Sequence, residues 1–87
     1  MQVVKKIEID DNEGLLALLD QRITVYCMNY IYTGTLSGVN KEDIKLTDAS
    51  IVYDTGSFEE KNWKDSQKFP KDIYLRTSAI EMYTVLK

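Results

Sequence analysis

Ile23-Thr24-Val25-Tyr26-Cys27, then Tyr32-Thr33-Gly34-Thr35-Leu36-Ser37-Gly38-Val39-Asn40, then Asp43-Ile44-Lys45-Leu46-Thr47-Asp48-Ala49 read as three short strands in immediate succession. In the first, Ile23, Val25 and Cys27 fall on one face and Thr24, Tyr26 and Met28 on the other, the period of two expected of a half-buried strand. Gly34 has no side chain to pack, so inside a strand it marks a sharp bend or a close approach of two backbones. Asn40-Lys41-Glu42-Asp43 is a polar turn into the third strand. There the alternation slips between Leu46 and the Ala49, Ile51, Tyr53 series, which predicts a bulge near Thr47-Asp48. Strongly bent strands are how a small sheet curls into a barrel.

Outward from this core, Asp10-Asp11-Asn12-Glu13 has the spacing of a capping box, with Leu15, Leu16, Leu18 and Leu19 behind it. This predicts a helix over residues 10–20, preceded by an extended arm over 1–9. So short a helix must dock on an apolar surface, and the open end of a small barrel offers one. Toward the C-terminus, residues 72–77 and 80–85 read as two final strands joined by the short hinge Thr77-Ser78-Ala79. A polar loop at about 55–71 precedes them, with a helical turn at Ser57-Phe58-Glu59-Glu60 and with Phe58 and Trp63 expected to tuck against the barrel. The expected fold is mainly β: one helix, then a strongly bent, five-stranded, antiparallel, partly open barrel over 21–85.

The 87 residues make one domain with a thin core, a size that often gains stability by oligomerising. A net charge of −3 argues against broad, phosphate-driven nucleic-acid binding, because the eleven basic residues are scattered among fourteen acidic ones. Lys61, Lys64, Lys68 and Lys71 are interrupted by Glu59, Glu60, Asp65 and Asp72, so they read as a solvated loop face. Cys27 is the single cysteine and there is no histidine, which leaves neither a disulfide nor a zinc site, and no cofactor is expected. Cys27 itself reads as a small buried hydrophobe. The N-terminal residues lack a long apolar segment, so neither a signal peptide nor a membrane span is expected, and the default compartment is the reducing cytoplasm.

Val25, Gly34-Thr35-Leu36, Asn40 and Asp43 around the turn, Leu46 and Ala49, and then Leu75-Arg76-Thr77 with Ile80, follow a two-part order and spacing. In this the chain resembles the Sm-like (LSm/Hfq-type) family over residues 15–85. The resemblance implies a cyclic homo-oligomer of about five to eight subunits, closed where one subunit's fourth strand pairs with the next subunit's fifth. The interface would then be Ile73, Tyr74 and Leu75 against Ile80, Met82, Tyr83 and Val85. It also implies that single-stranded RNA is held by Asn40, Lys41, Asp43, Arg76 and Thr77, in RNA binding or an RNA-chaperone role.

The chain departs from the family pattern in places that bear on this role. The turn is one residue shorter and has no aromatic, Asp43 stands where the family has an asparagine, and Thr77 replaces a glycine. A carboxylate at neutral pH only accepts hydrogen bonds, and it repels phosphate. Arg76 therefore has two readings, contact with RNA or a structural fork with Asp43. Tyr26, Tyr30, Tyr32 and Tyr53 likewise suit either base stacking or core and interface packing. No nucleophile–base pair or glycine-rich phosphate loop is present, so an enzyme is the least supported class. The alternative to an RNA-binding ring is a ring-shaped scaffold for protein partners.

Overall fold

A computed structural model describes residues 14–87; the expected arm and the capping pair Asp10 and Glu13 lie outside them. The helix within this range, α1, is short, Gly14–Ala17. It ends early because the chain must enter the sheet. Leu18 N–H already donates to Leu15 at the tighter three-residue spacing (3.0 Å). Asp20 turns left-handed (φ 69°). Asp20 N–H then donates to the Leu36 carbonyl at 2.7 Å, and Leu36 N–H returns to Gln21 at 2.9 Å. Leu15 and Leu18 pack on the core, as expected of a docked helix.

The strands are β1 Arg22–Cys27, β2 Ile31–Val39, β3 Asp43–Asp54, β4 Asp65–Lys68, β5 Ile73–Arg76 and β6 Ile80–Val85. They form one antiparallel sheet in the order β4-β3-β2-β1-β6, with β5 also paired to β3. The sheet does not close. Six strands replace the expected five because β3 is twelve residues long and holds two partners on one edge. Its first part takes β5 in the register Asp43↔Arg76 to Leu46↔Ile73, and its second takes β4 from Ser50↔Lys68 to Asp54↔Asp65. Between the partners lies Phe69-Pro70-Lys71-Asp72, where proline has no N–H for a ladder. All four residues of β4 are exposed, so no alternation marks this strand within the expected loop.

Ile23, Val25, Leu36, Ile44, Leu46 and Ala49 form the buried cluster. Gly34 sits against it, and the close approach predicted there is present: a Cβ would lie 3.1 Å from Ala49 Cβ, from Leu46 Cβ and from the Thr47 carbonyl oxygen. The bulge falls opposite this glycine. Thr33 pairs with Ser50 but Thr35 with Thr47, so β3 holds an extra residue, and Asp48 takes a left-handed φ of 49°. Its carbonyl accepts from Arg22 Nη1 at 2.8 Å, and its carboxylate pairs with Lys68. Lys68, with help from Arg22, holds that carboxyl below the usual aspartate value.

Behind β1 and β2, Thr24 and Thr33 are buried polar residues. Thr33 hydroxyl donates to the Ile23 carbonyl at 3.0 Å, and Thr24 hydroxyl donates to the Leu86 carbonyl. Tyr26 hydroxyl reaches the Lys87 carbonyl at 3.1 Å, so the chain beyond β6 is tied back across β1.

Candidate functional site

The sequence-predicted residues Asn40, Lys41, Asp43, Arg76 and Thr77 meet at one corner, where the β2–β3 turn abuts the 3₁₀ turn Thr77–Ala79. Asn40 shapes the turn from inside: its Oδ1 accepts the backbone N–H groups of Glu42 (2.9 Å) and Asp43 (2.8 Å). This side-chain mimicry of a backbone turn commits the amide oxygen to the fold. Thr77 closes the corner from the other strand. Its N–H donates to the Glu42 carbonyl at 2.8 Å, and its hydroxyl lies 2.9 Å from the Lys41 carbonyl and 3.2 Å from that of Glu42. A glycine at this position would supply no such hydroxyl, so the Thr77 departure strengthens the clasp.

Arg76 lies across the corner, with Nε 3.8 Å from Asp43 Oδ1 and Nη1 3.8 Å from Glu42 Oε2. All three groups are substantially exposed, and separations this long in water contribute little to stability. The structural reading of Arg76, a pair with Asp43 of its own chain, is thus present as a loose contact. The guanidinium is not locked and retains free donors. Lys41 is exposed on the same turn.

Beside this corner is a feature that sequence reading missed. A hollow of about 180 Å³ is lined by Cys27, Asn29, Tyr30, Tyr32, Leu75 and Arg76, among others. Tyr30 and Tyr32 meet edge to face at 6.5 Å, and Tyr32 stacks on Phe69 at 6.2 Å. Burial pushes the Cys27 thiol and the Tyr32 hydroxyl up from their ordinary values, and Glu81 adds to the effect on Cys27. The tyrosines were legible as candidates, but only the β1–β2 turn, closed by Cys27 N–H to the Tyr30 carbonyl at 3.0 Å, carries them next to Arg76.

Tyr53 and Tyr26 lie elsewhere. Tyr53 bonds Gln67 at 3.2 Å on the β3–β4 ribbon. Phe58, expected to tuck against the barrel, is instead 67% exposed, because the turn at 57–60 points it outward while Trp63 turns in.

The predicted interface residues occupy two strand edges that have no partner within the described chain. Thr77 N–H donates to Glu42, the residue before β3, so by alternation along the Asp43↔Arg76 register the Tyr74 and Arg76 amides of β5 face away from β3. Leu86 N–H bonds Arg22, so the Tyr83 and Val85 amides of β6 face away from β1. Beside those edges Tyr74 is 66%, Met82 50% and Val85 44% exposed, whereas Ile73, Leu75, Ile80 and Tyr83 turn toward the core.

No protein-family model and no curated protein sequence matches this chain. Among the described residues no group of three or more His, Cys, Asp or Glu is placed to hold a metal ion. No helix among them is long and apolar enough to cross a membrane.

Proposed function

We propose that the chain is an Sm-like, ring-forming cytoplasmic protein with a non-enzymatic role, binding single-stranded RNA at the corner of Asn40, Lys41, Asp43, Arg76 and Thr77. The observation that carries the ring is that β5, beside β4 along one side of the open sheet, and β6, at its other end, each have an edge with no partner among the described residues. Exposed edges with apolar neighbours are an aggregation hazard unless something covers them. Pairing β5 of one copy with β6 of the next satisfies both of these edges, and a rotation that closes leaves no β5 or β6 edge free. About five to eight subunits is the range the resemblance implies.

Support for RNA comes from the hollow beside Arg76. Tyr30 and Tyr32 offer ring faces of the kind on which bases stack, and Arg76 and Asn29 line the same hollow with donors. With Glu42 and Asp43 so close, binding here is directed at bases more than at phosphates, and its salt dependence is correspondingly shallow. The same carboxylates favour a second reading, a ring that scaffolds proteins: they offset the Arg76 charge, and the Asn40 oxygen is already committed.

Fluorescence anisotropy with labelled oligouridine and oligoadenosine separates the two. RNA binding predicts saturable association that R76A weakens roughly fivefold to a hundredfold with the oligomer intact, because a base-directed arginine contact contributes about 1–3 kcal/mol. An intact ring that binds neither oligonucleotide would overturn the RNA reading in favour of the scaffold.

A further inference from the structure

Lys87 has an environment that no strand edge or corner loop requires. Its Nζ donates to three backbone carbonyls of one loop, those of Ser57 (2.8 Å), Glu60 (2.9 Å) and Asn62 (2.9 Å). The same nitrogen stands 4.9 Å from the centre of the Trp63 ring, within the reach of a cation–π contact. The loop is built to turn these oxygens inward. Glu60 N–H closes on the Ser57 carbonyl at 3.1 Å, Glu59 N–H on Ser57 Oγ at 3.2 Å, and Asp54 Oδ1 holds the Gly56 N–H at 3.0 Å at the loop's entry.

An alkylammonium has three N–H donors and no acceptor, and here it meets three acceptors and an aromatic face. The match is selective. A guanidinium spreads its donors in a plane, and a quaternary ammonium has none. An open cavity of about 350 Å³, bordered by Phe58, Trp63, Leu86 and Lys87, adjoins the cage and gives access from solvent.

We infer that residues 57–63 form a binding site for a primary alkylammonium, which Lys87 fills as a resident ligand and which a free amine or another lysine side chain takes when Lys87 is absent. This site is independent of ring assembly and of RNA. Acylation of the Lys87 nitrogen would remove the charge and vacate the cage in the same way.

The test uses K87M, which keeps the aliphatic stem and removes the charge. Trp63 is the chain's one tryptophan, so its emission reports the cage alone. The proposal predicts that K87M changes that emission and that n-butylammonium chloride restores the wild-type spectrum. Tetramethylammonium, with the charge but no N–H, should be at least about tenfold less effective, since it can form none of the charge-assisted hydrogen bonds to the loop carbonyls. The wild type, already filled, should respond to neither salt.

Identical spectra for K87M and the wild type, or equal restoration by both cations, would overturn the site. Should K87M fail to fold, nitrogen-15 NMR of the wild type decides. A protected Lys87 ammonium whose protons exchange more slowly than those of the exposed lysines supports the cage, and unprotected exchange overturns it.

Discussion

Gly34 is the residue on which the bend of the sheet turns. Two opposing effects follow from giving it a methyl group. Replacing glycine by alanine stiffens the unfolded chain and favours folding by about 0.4–1 kcal/mol where the fold has room. Here the new Cβ would stand 3.1 Å from two side-chain Cβ atoms and a backbone oxygen of β3. Backbone paired on both edges cannot yield cheaply, and forcing a methyl into a packed site costs about 1–3 kcal/mol. The clash wins, so G34A should lower stability by about 1–2 kcal/mol, read as a fall in the urea midpoint at unchanged slope. The sequence carried this much because a glycine among β-branched residues has few other meanings. The left-handed Asp48 opposite it was legible only as a slip in alternation, since a polar residue with positive φ leaves no other trace.

At the scale of elements, β1 could be read from its alternation and β3 from an alternation with one slip, and their Ile23, Val25, Ile44, Leu46 and Ala49 line the core. The β4 strand could not, since all of its residues are exposed and its place depends on β3 reaching far enough to receive it. The C-terminal end of α1 was placed too late for a related reason. Helical spacing continues through Leu18 and Leu19, but hydrogen bonds between Asp20, Gln21 and Leu36 divert the chain into the sheet. The corner was legible as a set of residues but not as a clasp: that Asn40 and Thr77 spend their polar atoms on backbone depends on the Asp43↔Arg76 register.

The edge of β6 yields a sharper prediction. Val85 directs its N–H away from β1, so proline there removes a donor from the free edge and none from the sheet. V85P should therefore keep the far-ultraviolet circular dichroism of the fold while multi-angle light scattering shows the assembly falling to single chains. An assembly of unchanged mass would mean that this edge is not the joint.

For the whole molecule, the features converge on an open sheet that is complete in its core and, among the described residues, unpaired along β5 and β6. A 10.1 kDa chain has a thin core, and covering apolar surface at Tyr74, Met82 and Val85 adds burial that one copy cannot achieve. The corner with Arg76 lies at the end of β5, beside one of these edges, so a ring would array it once per subunit. Repetition of a weak site around a ring raises avidity without new contacts, which allows a corner of nearly balanced charge to bind a strand.

Native mass spectrometry of protein purified at low salt tests this most directly. A closed ring should give one dominant species at an integer multiple of 10.1 kDa, about five to eight chains, with any retained RNA as added mass. A spectrum dominated by the single chain at working concentrations would contradict it.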